Sequence, residues 1–94
     1  MPFFAVHYRY ADSTVAGRDE HRPTHRSWLA GLADVGVVRM SGPYADGSGA
    51  LILVDATDAD AVRRTLADDP FAKADLIEAV AVQEWVPVVG PFTT

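Results

Sequence analysis

The sequence contains four strand-forming segments and two helix-forming segments, and their order is compatible with few folds. Segments rich in β-branched and aromatic residues, typical of strands, lie at 3–10, 37–41, 50–55 and 78–88. Helical spacing of apolar residues predicts a helix over 19–35. A second helix follows Thr57 or Asp58, either of which can cap it. The 94 residues therefore predict one α+β domain, 1–94, in the order β-α-β-β-α-β.

This order is that of the ferredoxin-like fold, in which a four-stranded antiparallel sheet carries two helices on one face. The second face then needs another cover, because strand 50–55 offers apolar side chains to both sides. The last strand also has apolar residues on both sides, namely Val80, Val82 and Val86 on one and Ala79, Ala81 and Trp85 on the other. We expect the same face of a second copy to cover the sheet, which makes the protein a homodimer.

The first helix is expected to bury one stripe of side chains against the sheet. The members of this stripe recur at helical spacing and are His21, His25, Trp28, Leu29, Leu32 and Val35. Pro23 fits the first turn of a helix, so the regular helix should begin near Arg22, with 11–18 as a loop and His21 in an irregular lead-in. Gly36 suits the left-handed backbone position that ends a helix.

Turn-forming residues set the remaining boundaries. Gly42-Pro43 should stop the second strand, and 44–49 should form the loop to the third strand, which runs antiparallel. Pro87 indicates that the end of the last strand is a sheet edge or lies outside the sheet.

Charge and residue types exclude several classes of protein. The formal net charge is −5 and the pI about 4.9, whereas a nucleic-acid binder normally presents a basic surface. The apolar runs are far shorter than the ~20 residues of a membrane span. The first residues lack the pattern of a signal peptide, and the absence of cysteine excludes disulfides and thiolate chemistry. We therefore expect a cytoplasmic protein with neither a nucleic-acid nor a membrane partner.

Three histidines are the first candidates for chemistry. His21 and His25 are four residues apart and share a helix face if both are helical, and His7 offers a third ligand. No His-Glu-x-x-His motif accompanies them, so we expect no metal site. The chain also lacks a phosphate-binding glycine loop and a Gly-x-Ser-x-Gly elbow, which argues against nucleotide chemistry and against a serine hydrolase.

His25 and Asp69 each allow a structural and a functional interpretation. His25 lies on the apolar stripe, where an imidazole needs a partner for each nitrogen, so it is either a core histidine bonded to backbone or part of a site. Asp69 precedes Pro70, and an aspartate there is a good cap for a short helical turn. A capping carboxylate can also accept a hydrogen bond from an imidazole, so the two roles are compatible.

A set of short motifs in this chain resembles the YCII-related family. The motifs run in order along nearly the whole chain and are Arg22-Pro23-Thr24-His25-Arg26-Ser27-Trp28-Leu29, Gly36, Ser41-Gly42-Pro43, Asp69-Pro70-Phe71 and Val82-Gln83-Glu84-Trp85. The family pattern is an Arg-x-x-His-x-x-x-Leu helix, a Gly-Pro turn and an Asp-Pro-Phe segment before the last strand. This resemblance implies a dimeric α+β barrel, which agrees with the fold predicted from the order of segments.

The resemblance also implies which residues form the site. His25 and Asp69 would be a catalytic pair that lines a cleft. The candidates for substrate contact are Arg22, Ser41, Gly42, Pro43 and Phe71. The implied site needs no cofactor and no metal. The family includes a dehydrochlorinase, and muconolactone isomerases share the fold more distantly, so the expected activity is that of a lyase or an isomerase.

The chemistry of such a pair leads to a predicted function. An aspartate that holds one imidazole nitrogen fixes the tautomer and leaves the other nitrogen as a general base. We therefore predict a cofactor-free enzyme that removes a proton from a small aromatic or anionic metabolite. The arginines that can bind an anionic group of the substrate are Arg22, Arg26 or Arg39. The aromatic side chains that can flank a substrate ring are Tyr8, Tyr44 or Trp28. Each of these residues also suits a structural role, the arginines as surface charges and the aromatic residues in packing.

Two other functions remain open from the sequence. One is that of a non-catalytic dimeric module that binds a ligand or has a structural role. The other is that of a cofactor-free oxygenase with a largely apolar pocket. Solvent access distinguishes the first alternative from an enzyme. A catalytic His25 opens one nitrogen to a cavity, whereas a structural histidine has both nitrogens bonded and no void beside it.

Overall fold

The computed structural model describes residues 2–93 and contains one four-stranded sheet within them. Its strands are β1 (Phe3–Arg9), β2 (Val38–Pro43), β3 (Gly49–Asp55) and β4 (Ala79–Trp85). They are arranged in the order β2-β3-β1-β4, and every neighbouring pair is antiparallel. This is the ferredoxin-like α+β fold that the order of segments predicts.

The helices pack on one face of this sheet. In the described part of the chain they are α1 (Val15–Asp34), α2 (Ala59–Leu66) and the short α3 (Pro70–Lys73). The core between the layers contains Phe4, Val6 and Tyr8 of β1, Ile52 and Val54 of β3, and Val62 and Leu66 of α2. Asp58 caps α2, since its side chain accepts a hydrogen bond from the Ala61 N–H at 2.8 Å. No helix among residues 2–93 has the length and apolar character needed to cross a membrane.

Helix α1 begins earlier than the sequence predicts. A loop was expected over 11–18, but a 3-10 turn at Asp12–Thr14 leads directly into the helix. Pro23 therefore lies inside α1 instead of in its first turn. Pro23 cannot bond to the Asp19 carbonyl, and its ring crowds that group, but both residues are exposed and water can satisfy the carbonyl. The helix therefore accommodates this proline, contrary to the expectation.

The predicted stripe of α1 is buried over only part of its length. The buried or half-buried members at its centre are His25, Trp28, Leu29 and Leu32. His21 is also half-buried but lies within the regular helix, not in an irregular lead-in. Val35 is 73% exposed, contrary to its predicted place, because the chain turns away there through Gly36. Gly36 has φ of +82° and is the left-handed helix stop that the sequence predicts.

Two strand ends are set by proline and glycine. Strand β2 continues through Gly42 and Pro43, which were expected to stop it, and Pro43 is tolerated because β2 is an edge strand. Strand β4 is the other edge and ends before Pro87. Gly49 opens β3, and a Cβ atom there would lie 1.9 Å from the carbonyl oxygen of Tyr8. Only glycine allows β1 and β3 to approach this closely.

The face of the sheet opposite the helices is only partly covered. Phe3 and Leu53 are buried on it, and the ring of Phe92 lies edge-on to Phe3 with 6.0 Å between centroids. His7 is exposed on the same face, and Trp85 is 42% exposed. This surface, which we call the open face, is the apolar face for which the sequence predicts a second cover.

Candidate active site

The buried pair His25 and Asp69 joins α1 to the segment that precedes α3. His25 Nδ1–H donates to Asp69 Oδ1 at 2.7 Å, although 44 positions separate the two residues in sequence. His25 is 7% exposed and Asp69 is 0% exposed. Because an ionised carboxylate only accepts hydrogen bonds, the proton of a neutral imidazole lies on Nδ1 here. Nε2 is then the nitrogen that can take a proton.

The Asp69 carboxylate is fixed at both oxygens. The Phe71 N–H donates to Oδ1 at 2.9 Å, which makes Asp69 the cap of α3 that the Asp-Pro sequence predicts. The Tyr8 hydroxyl donates to Oδ2 at 2.8 Å from the adjacent strand β1. Three donors from three parts of the fold therefore hold a carboxylate that water does not reach, and the carboxylate in turn orients the imidazole.

Two tyrosines beside the carboxylate remain protonated. Burial raises the pKa of Tyr8 far above its ordinary value, and the charge of Asp69 and the hydrogen bond to it act in the same direction. Burial, together with the charge of Asp69, raises the pKa of Tyr10 to about 12. Both phenols keep their protons at neutral pH, so Tyr8 stays a donor to Asp69.

Aromatic rings hold the imidazole in place. The Phe71 ring is parallel to the His25 ring, with 3.8 Å between centroids and 4° between planes. Trp28 lies farther from His25, at 6.5 Å. Tyr10 packs edge-on against Phe71 at 6.0 Å. One face of the imidazole is thus covered by Phe71, and the ring has little freedom to turn.

A cavity of about 580 Å³ opens beside His25, between α1 and strands β2 and β3. Its volume is in the range of sites that bind small molecules, roughly 300–1,000 Å³. The predicted site residues that line it are Arg22, His25, Ser41, Gly42, Pro43 and Phe71. Asp69 lies outside the lining, behind His25. Within residues 2–93, Nε2 of His25 makes no hydrogen bond.

The arginines predicted for an anion do not all reach the cavity. Arg22 and Arg26 line it, and Arg22 also donates to the Asp19 carboxylate at 2.6 Å in an exposed pair. Arg39 lies on the open face, with its guanidinium 5.5 Å from the Phe3 ring centroid. Arg39 is therefore not a candidate for this cavity.

The aromatic side chains predicted to flank a ring lie elsewhere. Tyr8 is buried beneath the site and Tyr44 lies on the open face, where its hydroxyl is 2.6 Å from His7 Nδ1. Trp28 borders a separate shallow depression with Pro70. Among the described residues, none of these three lines the cavity. Its aromatic wall consists of Tyr10 and Phe71.

The three histidines are far apart in the fold. His21 Nδ1–H donates to the Gly17 carbonyl at 3.0 Å, one turn earlier in α1. His7 and His25 lie on opposite faces of the sheet. Over the residues that the structure describes, no group of three or more histidine, cysteine or acidic side chains could hold a metal ion.

Two cavity residues, Arg18 and Tyr10, are missing from the sequence prediction. Arg18 is 5% exposed, and its guanidinium lies 4.3 Å from the Tyr10 ring centroid. Arg18, Arg22 and Arg26 recur at intervals of four and so share a helix face. The sequence prediction does not include Arg18 in this helix face because it starts the helix at residue 19, one residue after Arg18.

Comparisons with known proteins give a family and a fold. The model of the YCII-related domain matches residues 1–86. A solved structure of 5-chloro-2-hydroxyhydroquinone dehydrochlorinase (TftG) from Burkholderia phenoliruptrix AC1100, in complex with 2,5-dihydroxybenzoquinone, has a TM-score of 0.77. The two chains are 23% identical, and the match covers 88% of this chain and 92% of that one, which shows a shared fold. No curated protein matches the chain.

Proposed function

This chain belongs to the YCII-related family, and from that premise we propose that it is a small cofactor-free enzyme of the lyase or isomerase type. His25 is its general base, and Asp69 holds the imidazole. The substrate is a small aromatic or anionic metabolite in the cavity. The observation that carries the proposal is an imidazole whose Nδ1 is bonded to a buried carboxylate while the residue lines a cavity of about 580 Å³.

The proposed reaction begins with a proton transfer to Nε2 of His25 from an activated C–H or O–H bond. The electron pair of that bond moves into the conjugated system of the substrate. In an elimination it forms a double bond, and the leaving group departs with its own electron pair. In an isomerisation His25 returns the proton to another carbon. Asp69 stabilises the imidazolium that exists between the two transfers.

The remaining predicted residues shape the cavity around the substrate. Phe71 provides a flat apolar wall next to the imidazole. Ser41 offers a hydroxyl from β2, and Gly42 and Pro43 form the adjoining rim. Arg22 adds a positive charge from α1. These roles fit a planar substrate that carries an oxygen or a negative charge.

The site geometry argues against a purely structural role for His25. A purely structural histidine would have both nitrogens bonded and no void beside it, whereas His25 borders a cavity. Apolar residues form most of the cavity lining, which a cofactor-free oxygenase would also need, so oxygen consumption and not geometry distinguishes that alternative. A non-catalytic binding module remains the outcome to exclude by experiment.

The open face supports the further proposal that the chain forms a homodimer. Trp85 is a large apolar residue on this face and is 42% exposed. Apposition of two open faces would remove it from water. Sedimentation equilibrium should give twice the chain mass at micromolar concentration, and Trp85→Glu should weaken the association. A stable wild-type monomer at that concentration would remove the proposal.

Exchange of substrate protons with solvent tests the proposed base directly. TftG is named for a chlorinated hydroxyhydroquinone and was solved with a dihydroxybenzoquinone, so the first panel contains hydroxylated quinols and quinones, followed by phenols and lactones. Proton NMR in D₂O should show enzyme-dependent replacement of a C–H proton by deuterium. His25→Gln should slow it by about 10²–10⁴-fold. His7→Gln, a histidine change on the open face, should leave the rate unchanged.

Two results contradict this proposal. One is exchange by His25→Gln at the wild-type rate, which would make the imidazole irrelevant. The other is the absence of enzyme-dependent exchange and turnover across the panel while the same compounds bind. That outcome would assign the chain to the non-catalytic ligand-binding class.

A further inference from the structure

The cavity beside His25 is positively charged in a protein of net charge −5. Arg18, Arg22 and Arg26 lie along its α1 wall. Of the residues that the structure describes, no aspartate or glutamate lines the cavity. Arg22 pairs with Asp19 outside the lining, whereas no ion pair among the described residues involves Arg18 or Arg26. A cavity with this charge favours an anionic ligand.

Arg18 differs from the other two arginines because it is nine-tenths buried or more. Its side chain is 5% exposed, whereas Arg22 is half-buried and Arg26 is exposed. A guanidinium keeps its charge in proteins, so this burial takes most of a positively charged side chain out of bulk water and leaves it facing the cavity. No salt bridge within residues 2–93 compensates it. A buried cation without an anion is costly, and a bound anion would remove that cost.

The hydrogen bonds of Arg18 leave one edge of its guanidinium unused. Nη1 donates to the Ala11 carbonyl at 3.0 Å and to the Thr14 hydroxyl, which tie it to the turn before α1. Nε and Nη2 donate to no described residue. These two nitrogens form the edge that meets a carboxylate in a side-by-side, two-bond contact. Nη1 therefore positions the guanidinium, and Nε and Nη2 can donate hydrogen bonds to a ligand.

A continuous aromatic wall connects Arg18 to the proposed base. The guanidinium lies over Tyr10, Tyr10 packs edge-on against Phe71, and Phe71 stacks on His25. Arg18 and His25 are seven positions apart in α1, which is roughly 10 Å along the helix axis. One unsaturated ring that carries a carboxylate, with a hydrogen bond at each end, can bridge such a distance. The wall would contact the flat face of that ring.

We propose that Arg18 is the anion-binding residue of this cavity and that the ligand is a small monocarboxylic acid with a planar unsaturated body. Its carboxylate pairs with Nε and Nη2 of Arg18, and its ring lies along Tyr10 and Phe71 with the reactive end towards His25. The orientation towards His25 rests on the proposed function. Binding of the carboxylate does not, because it requires no turnover.

Calorimetric titration with matched acids and amides tests the charge requirement. The probes are benzoate and 4-hydroxybenzoate, with benzamide and 4-hydroxybenzamide as neutral counterparts of the same shape. Each acid should bind the wild-type protein at least tenfold more tightly than its amide. Equal affinity for an acid and its amide would overturn the proposal. So would the failure of both acids to bind at 10 mM.

Substitution of single arginines tests which one binds the carboxylate. Arg18→Met should weaken benzoate binding at least tenfold, and Arg18→Lys should weaken it less. Arg39→Met is the matched control, because Arg39 also lies over an aromatic ring but outside the cavity, and it should change affinity less than twofold. A full loss in Arg22→Met with none in Arg18→Met would overturn the assignment.

A measurement on the wild-type protein keeps the proposal testable if Arg18→Met fails to fold. Benzoate should shift the Nε–Hε resonance of Arg18 in a ¹⁵N NMR spectrum, and benzamide should not. The absence of that shift at saturating benzoate would overturn the proposal. His25→Gln should still bind benzoate, so a failure of the proposed catalytic role and a failure of this binding site give different results.

Discussion

Two histidine hydrogen bonds of nearly equal length lie on opposite faces of the sheet. On the helix-covered face, His25 Nδ1 is 2.7 Å from the Asp69 carboxylate in a buried site. On the open face, His7 Nδ1 is 2.6 Å from the Tyr44 hydroxyl in an exposed one. Water competes for the second contact and not for the first. The comparison teaches that burial and charge, rather than distance, decide what a short contact contributes.

Adjacent residues of β1 produce this contrast. Tyr8 and His7 point to opposite faces because successive side chains of a strand alternate. Tyr8 supports the buried pair through Asp69, whereas His7 joins the exposed one. A tyrosine hydroxyl therefore makes a hydrogen bond to a described residue on each face. Replacing each tyrosine by phenylalanine removes that hydroxyl and so compares its contribution to stability on the two faces.

The largest effect is expected for Asp69→Ala. This change leaves Tyr8, His25 and the Phe71 N–H without their shared acceptor in a site that water does not reach. We expect the free energy of unfolding to fall by about 3–5 kcal/mol, as when one partner of a buried pair is removed. Urea unfolding at neutral pH measures it. The control Asp68→Ala alters an exposed neighbour and should change stability by less than about 0.5 kcal/mol.

A smaller loss is expected for Tyr8→Phe on the helix-covered face. The change removes only the hydroxyl that donates to Asp69 Oδ2. A hydrogen bond to a charged buried group contributes about 1.5–3 kcal/mol, and urea unfolding should show a loss of that size. The deuterium exchange rate should also fall, because the carboxylate that orients His25 loses one of its supports. Wild-type stability in Tyr8→Phe would show that Oδ2 finds another donor.

Alkaline pH should weaken the helix-covered face through its tyrosines. Burial raises the pKa of Tyr8, and it raises the pKa of Tyr10 to about 12, whereas an unfolded tyrosine titrates near 10. The folded state therefore binds more protons above pH 10, so the stabilisation is fully present below pH 10 and is lost as pH rises through 12. Tyr10→Phe should lose less stability than wild type between pH 9 and 12 in urea unfolding. Parallel loss in both proteins would contradict the assignment.

The smallest effect is expected for Tyr44→Phe on the open face. It deletes the same atom as Tyr8→Phe, but from an exposed pair. In the dilute monomer water replaces the lost partner of His7, so urea unfolding should change by less than about 0.5 kcal/mol. A larger loss should appear only at concentrations where the proposed dimer covers the open face, and a loss equal to that of Tyr8→Phe in the monomer would contradict the comparison.

Local chemistry made much of the fold and part of the site predictable. The order of segments gives the ferredoxin-like topology, and Gly36 ends α1 because the position needs a positive φ. Asp69 caps α3 because an aspartate before proline is suited to that role. In each case the cause lies within a few residues of the effect, so the sequence alone contains it.

The parts that escaped prediction depend on distant residues. Tyr8 and Asp69 are 61 positions apart, and no local pattern shows that a hydroxyl of β1 meets the carboxylate. The early start of α1 escaped as well, since Pro23 is acceptable inside the helix only because its surroundings are exposed. That error removed Arg18 from the helix face that it shares with Arg22.

The placement of β1 between β3 and β4 has a consequence for synthesis of the chain on the ribosome. The imidazole and the arginines of α1 emerge early, but the carboxylate that orients the imidazole emerges much later, after β3 and α2. Pairing of β1 with β4 must wait longer still, and such non-local contacts form slowly. A nascent chain that has not been extended past Asp69 therefore contains His25 without the group that fixes its proton.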